Sequence, residues 1–281
     1  MIKLSEDGKN FFDVTDWEEL LTRPGFEQKV DSDDVEIGRI IGQYSITPKQ
    51  PCGIKSCGTK HNRGYLITLS DGRETNIGNV CGRKIFKVDF SQHLNVFKKD
   101  MNSQRYREEI RFTQNTLLDT KDQVELLSKG DGQADDCYSQ MNAQMTRLFS
   151  EDITRRLLDR AKRSNAVVTR DFEVTEDDRS SGVVGTNANY TTETVFIISG
   201  LSAVKSYKKL RTILKKQLGD ELHAFEEINP DDLEFEDLKR WHNWINKIDL
   251  RLKSSRNIIQ ECNRFLQSVN IENIRKFCTY L

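Results

Sequence analysis

Residues 51–90, PCGIKSCGTKHNRGYLITLSDGRETNIGNVCGRKIFKVDF, decide how this chain is read. They carry Cys52, Cys57, His61 and Cys81 in a C-x4-C-x3-H-x19-C pattern. Four soft or borderline donors of this kind are what a closed tetrahedral zinc site takes. Three of them share one loop. The runs GYLITLS and RETNIG flank Asp71-Gly72, a dipeptide that fits a tight turn between strands, so a hairpin is expected. NVCGRKIFKVDF then begins a helix and places Cys81 near its start. A metal held this way staples loop, hairpin and helix around a core too small to stand alone. That core is expected to hold Tyr65, Ile67, Leu69, Ile77, Val80 and Phe86. His93 is an alternative ligand if His61 points away.

Each of the three cysteines in this stretch precedes glycine (Gly53, Gly58 and Gly82), whereas Cys137, Cys262 and Cys278 precede Tyr, Asn and Thr. A metal-bound thiolate keeps negative charge and takes backbone N–H donors, and glycine permits the tight turn that supplies them. Over roughly residues 50–90 the segment resembles the treble-clef class of zinc module, in which a knuckle, a hairpin and a helix share one metal. The paired C-x2-C spacing typical of that class is replaced here by a gap of four, and the second knuckle supplies one ligand. No family resemblance is seen in the rest of the chain. Four protein ligands leave no position for the water that a catalytic zinc needs, so a structural Zn2+ and no enzymatic activity are expected.

Working outward, VEIGRIIGQYSI at 35–46 is β-branched and aromatic and reads as a strand. Residues 1–34 are acidic, with a short helix at 16–21 stopped by Pro24 and Gly25. Ser91 to Leu127 is nearly free of Gly and Pro and reads as one long helix, followed after KGDGQADD by a second from about 136 to 163. Two strands are expected within 166–199, joined by the polar, Gly-rich DDRSSGVVGTNAN, a mobile connection. Helix returns from Gly200 to about Phe225. Leu238, Trp241, Ile245, Ile248, Leu252, Ser255, Ile259, Cys262, Leu266 and Val269 follow alternating steps of three and four, the pattern of a coiled-coil-like helix of about nine turns. Its stripe packs in an intramolecular bundle or, as an alternative, forms a homo-oligomer through 235–269. The expected class is α+β, mostly α. An acidic segment (1–34) precedes a basic zinc module (35–90) and a helical region (91–281) interrupted by the hairpin at 166–199.

The 281 residues carry a net charge of −1, but the charge is segregated. Residues 1–34 hold ten acids and four bases; residues 49–87 hold eight bases against Asp71 and Glu74. Residues 202–216 hold six bases and no acid, and 220–237 nine acids and no base. Such blocks either pair within the fold or form electrostatic faces. Lys55, Lys60, Arg63, Arg83 and Lys84 surround the zinc ligands and are the expected phosphate contacts of a nucleic-acid-binding, DNA-binding, zinc-finger-like module. No base-reading motif is present, so backbone contact is expected. A protein-interaction adapter is the alternative, with the acidic blocks facing a basic partner. His61-Asn62 before the hairpin and Asn79 after it loosely resemble a ββα-metal nuclease, a remote third reading. No P-loop, Rossmann or nucleophile-elbow motif occurs, and Gly182-Val-Val-Gly185 is too short for a phosphate loop. No apolar run nears the roughly 18 residues that span a bilayer, and no signal peptide is visible, so a cytoplasmic protein without membrane contact is expected.

Overall fold

A computed structural model describes residues 1–32, 35–175 and 190–281. The chain is α+β and divides into two units. The first comprises residues 1–112 and 229–242, the second 113–228 and 243–281. No helix among the described residues is long and apolar enough to cross a membrane.

The first unit is built on a five-stranded antiparallel sheet in the order β2-β1-β3-β4-β5. Its strands are β1 (Ile2–Leu4), β2 (Phe12–Val14), β3 (Ile37–Pro51), β4 (Lys60–Leu69) and β5 (Glu74–Ile77). The expected Asp-Gly turn joins β4 to β5, with Gly72 at φ 89 and Asp71 accepting from the Arg73 N–H at 3.1 Å. Alternation along the strands feeds two cores. On one face Ile40 and Ile67 pack with Val30, Ile54, Ile77 and Phe86. Phe90, Leu94 and Phe97, from α3 (Lys87–Asn115), complete this cluster. On the other face Ile41 and Leu66 pack with Ile2, Leu4, Val14 and Tyr44. Trp17 and Leu20 of α1 (Trp17–Leu21) close that side.

Residues 1–34 are therefore not a separate acidic segment: β1 and β2 extend the sheet, and α1 covers it. The expected core residues hold except Val80, which is 78% exposed on α2 (Asn79–Ile85). That short helix turns its Gly82 backbone, not Val80, toward the core ring of Phe90. The late segment 229–242 also belongs to this unit. His242 stacks on Tyr106 at 4.2 Å and bonds to Glu109.

The second unit is helical with one hairpin. The expected helix over 91–127 is two, because α3 stops at Asn115 and α4 (Leu117–Ser128) follows Thr116. The helix expected over 136–163 is likewise broken. α5 (Ala134–Ala143) runs into a π-helical stretch at Gln144–Leu148, and Phe149 is extended. Ser150 then caps α6 (Glu151–Arg163), its side chain accepting from the Ile153 N–H. The antiparallel hairpin β6 (Val167–Glu173) and β7 (Tyr190–Ile197) lies where two strands were expected. Their glycine-rich connection falls on 176–189, outside the described residues.

Helix resumes as α7 (Ala203–Ser206), a π-helical stretch at Arg211–Asp220 and α8 (Glu221–Glu226). The expected nine-turn C-terminal helix is three helices: α9 (Phe235–Ile245), α10 (Ile248–Phe265) and α11 (Ser268–Lys276). Within the second unit Ile248, Leu252, Ser255, Ile259 and Cys262 are buried, but Val269 is 66% exposed.

Candidate metal centre

The cysteine loop begins where β3 ends. Cys52 donates its N–H to Thr59 O at 2.9 Å and closes the loop, and Cys57 donates to Ile54 O at 3.0 Å inside it. The loop is pinned on both sides. Gly53 donates to Asn76 O of β5 at 2.8 Å, and Val30 donates to Gly53 O at 2.7 Å. Cys81 lies in the first turn of α2, which β5 delivers directly after its last residue. The Sγ atoms of Cys52, Cys57 and Cys81 thereby come within 4.8 Å of one another, with Cys57 and Cys81 3.0 Å apart. None of the three is in a disulfide. Three thiols so placed can hold a metal ion.

The electrostatics of the cluster suit a cation. Burial raises the Cys52 thiol, against the lowering effect of the Ile54 and Gly78 N–H groups. Burial pushes Cys81 up to about 12, with the Cys57 thiol adding to it. Burial also acts to raise Cys57, but bonds from the Cys81 thiol and from Thr59 outweigh it and bring Cys57 down to about 7. The three groups cannot all ionise side by side without a positive charge between them. A bound dication removes that obstacle by deprotonating a coordinating thiol outright.

The backbone donors come from the second residue after each loop cysteine, Ile54 after Cys52 and Thr59 after Cys57. The sequence reading pointed to the intervening glycines but not to these donors, which the regular Cys-Gly-x spacing could have indicated.

His61 is not within the three-thiol group. It sits at the second residue of β4, and its Nδ1 lies 2.8 Å from the Tyr44 hydroxyl, with the two rings stacked at 5.8 Å. Tyr44 in turn accepts from Asn76 Nδ2 at 3.1 Å. The other ring nitrogen, Nε2, is buried and has no hydrogen-bond partner among the described residues. It lies against Gly78, where a Cβ would come 3.2 Å from Nε2, and Gly78 is also the residue whose N–H bonds Cys52. Burial holds the His61 pKa below its ordinary value. His93 lies on α3, outside the group. Tyr44 and Asn76 were missed by the sequence reading, because no local spacing links them to His61.

Comparison with protein-family models, curated proteins and solved structures finds no match for this chain.

The basic residues around the cluster fall into separate groups. Lys55 is paired with Asp31 at 3.7 Å, and Arg73 is held by Asp71 and Glu27. Part of the opposite charge blocks thus neutralise each other within the fold. Lys49, Lys60, Arg63, Arg83 and Lys84 are exposed and make no ion pair among the described residues. Lys60 and Arg63 stand on β4, Arg83 and Lys84 on α2. The acidic run 220–237 is partly paired as well, Glu226 with Lys121 and Asp231 with Arg111.

Proposed function

We propose that the chain holds one structural zinc ion through Cys52, Cys57, Cys81 and His61, and uses the cations around it to bind the phosphate backbone of nucleic acid. The three convergent thiols fit a soft dication, and His61 supplies the fourth donor. With Nδ1–H donating to the Tyr44 hydroxyl, Nε2 presents its lone pair, the form a metal takes. A buried imidazole nitrogen without a partner is costly unless a ligand satisfies it. The zinc fastens the Cys52–Thr59 loop to the start of α2, the arrangement of the treble-clef class. Full coordination leaves no open position, so the role is structural and the chain acts by binding.

The observation that carries the nucleic-acid reading is the set of exposed cations beside the metal centre that have no carboxylate partner. Lysine and arginine bind phosphate by charge, and each contact releases counterions, so affinity must fall with salt. Each such contact predicts a loss of about threefold between 50 and 200 mM salt. Reversal of Lys60, Arg63, Arg83 and Lys84 to Glu should weaken binding to mixed-sequence DNA and RNA while one equivalent of zinc is retained. Binding that ignores both salt and these reversals, or no binding at all, overturns the reading and leaves protein adapter as the alternative.

A further inference from the structure

β3 and β4 run in antiparallel register up to Ser45 opposite Arg63, and pairing resumes with Gln50 opposite His61. Four residues of β3, Ile46 to Lys49, thus face Asn62 alone. The bulge is tied in place by side-chain amides, Asn62 Nδ2 donating to Ile46 O at 3.2 Å and Gln50 Nε2 to Pro48 O at 3.2 Å. A bulge of this kind re-aims side chains and ends regular pairing.

Beside it opens a concavity of about 880 Å³, whose lining includes Thr47, Lys49, Lys60, His61, Asn62 and Arg63. An adjoining concavity of about 340 Å³ shares Ser45 and Arg63 and adds Lys3 and Asn79. Among the described residues no carboxylate lines either one, in a chain with 44 acidic residues. Lys3 is paired with Asp13 at 3.6 Å, which leaves Lys49, Lys60 and Arg63 as the cationic side chains without an ion pair among the described residues.

We infer that this trough is a binding site for a single-stranded nucleic acid, with Lys49, Lys60 and Arg63 on its phosphates. The inference rests on the nucleic-acid reading and deepens it by naming the form of the ligand and the face that holds it. A flexible phosphodiester chain follows a concave, positively charged groove, which is how single strands are held without sequence readout. A duplex is a stiff rod, read by an element that projects into its major groove, and a recess does not provide that. Arg83 and Lys84, on the exposed side of α2, are the convex alternative. The trough also adjoins the metal centre, because His61 lines it between Lys60 and Asn62.

The test uses the purified full-length chain with fluorescein-labelled oligo(dT), oligo(U) and a DNA duplex of equal length, followed by anisotropy across a salt series. Two double variants are compared, Lys60→Glu with Arg63→Glu and Arg83→Glu with Lys84→Glu. Zinc content and melting temperature, unchanged in both, establish that each is folded. The expected result is tighter binding of oligo(dT) or oligo(U) than of duplex, with a salt slope that falls by about two in the β4 variant and not in the α2 variant. Equal or tighter binding of the duplex, or a slope that falls only in the α2 variant, overturns the trough while leaving nucleic-acid binding intact. Failure of the unaltered protein to bind any of the three overturns the nucleic-acid reading itself.

Discussion

Gly53, Gly58 and Gly82 each follow a cysteine, yet they serve different needs. Gly58 has φ 61 and open space around its Cα, so its requirement is conformational. A Cβ on Gly53 would meet Thr75 Oγ1 at 1.9 Å, and one on Gly82 would meet Phe90 Cε2 at 2.4 Å, so those two are required for close approach. Asn tolerates the left-handed region better than other residues with a side chain. Gly58→Asn should therefore keep the melting temperature nearly unchanged, whereas Gly53→Ala should cost about 1–3 kcal/mol, read by thermal unfolding. A Gly53→Ala melt equal to that of the unaltered protein would refute the packing argument. The three cysteines that converge were legible in the sequence because cysteine carries its chemistry by type and spacing; His61, read together with them, lies outside their group. Tyr44 was not, since its bond to His61 arises only when β3 and β4 pair. Tyr44→Phe removes the partner of His61 Nδ1 and should lower zinc affinity about 10- to 100-fold, measured by competition with a chromophoric chelator. Unaltered affinity would mean that Tyr44 does not orient the ring.

β3, the β4-β5 hairpin and the β6-β7 pair were legible because their alternation and turn residues are local, as Asp71-Gly72 shows, whereas β1 and β2, three residues each, are too short to show alternation. Helix ends were not. Thr116, Phe149 with Ser150, and Asn246-Lys247 interrupt runs that contain no proline, and in the C-terminal run the apolar spacing continues across the joint from Ile245 to Ile248. The Ser150 cap is the local signal for one of these breaks, and Ser150→Ala should cost about 1 kcal/mol in thermal unfolding. In the C-terminal run the stripe is real for α10, where Ile248, Leu252 and Ile259 are buried within this chain. Ile248→Asp should therefore destabilise the monomer by several kcal/mol, on the order of 3 or more. Sedimentation and melting of that variant check this. A folded monomer with an unchanged melting temperature, derived from a dimeric parent, would show instead that the stripe is an oligomer interface.

At the scale of the molecule, the boundaries expected at 34/35 and 90/91 fall inside one packed unit. The cluster around the hairpin needs Val30 from before that stretch and Leu94 and Phe97 from after it, while β1 covers the edge of β3. Composition shifts could not show this, because those partners are joined only by long-range packing. A fragment of residues 35–90 should accordingly fail to give dispersed amide spectra even with zinc added; a folded fragment would restore the independent module. That one zinc ion holds the loop and α2 together is tested most directly by elemental analysis of the purified 281-residue chain. The account predicts one equivalent of zinc per chain, lost in Cys57→Ser and weakened in His61→Ala. A content far below one equivalent, or one that Cys57→Ser leaves unchanged, would contradict it.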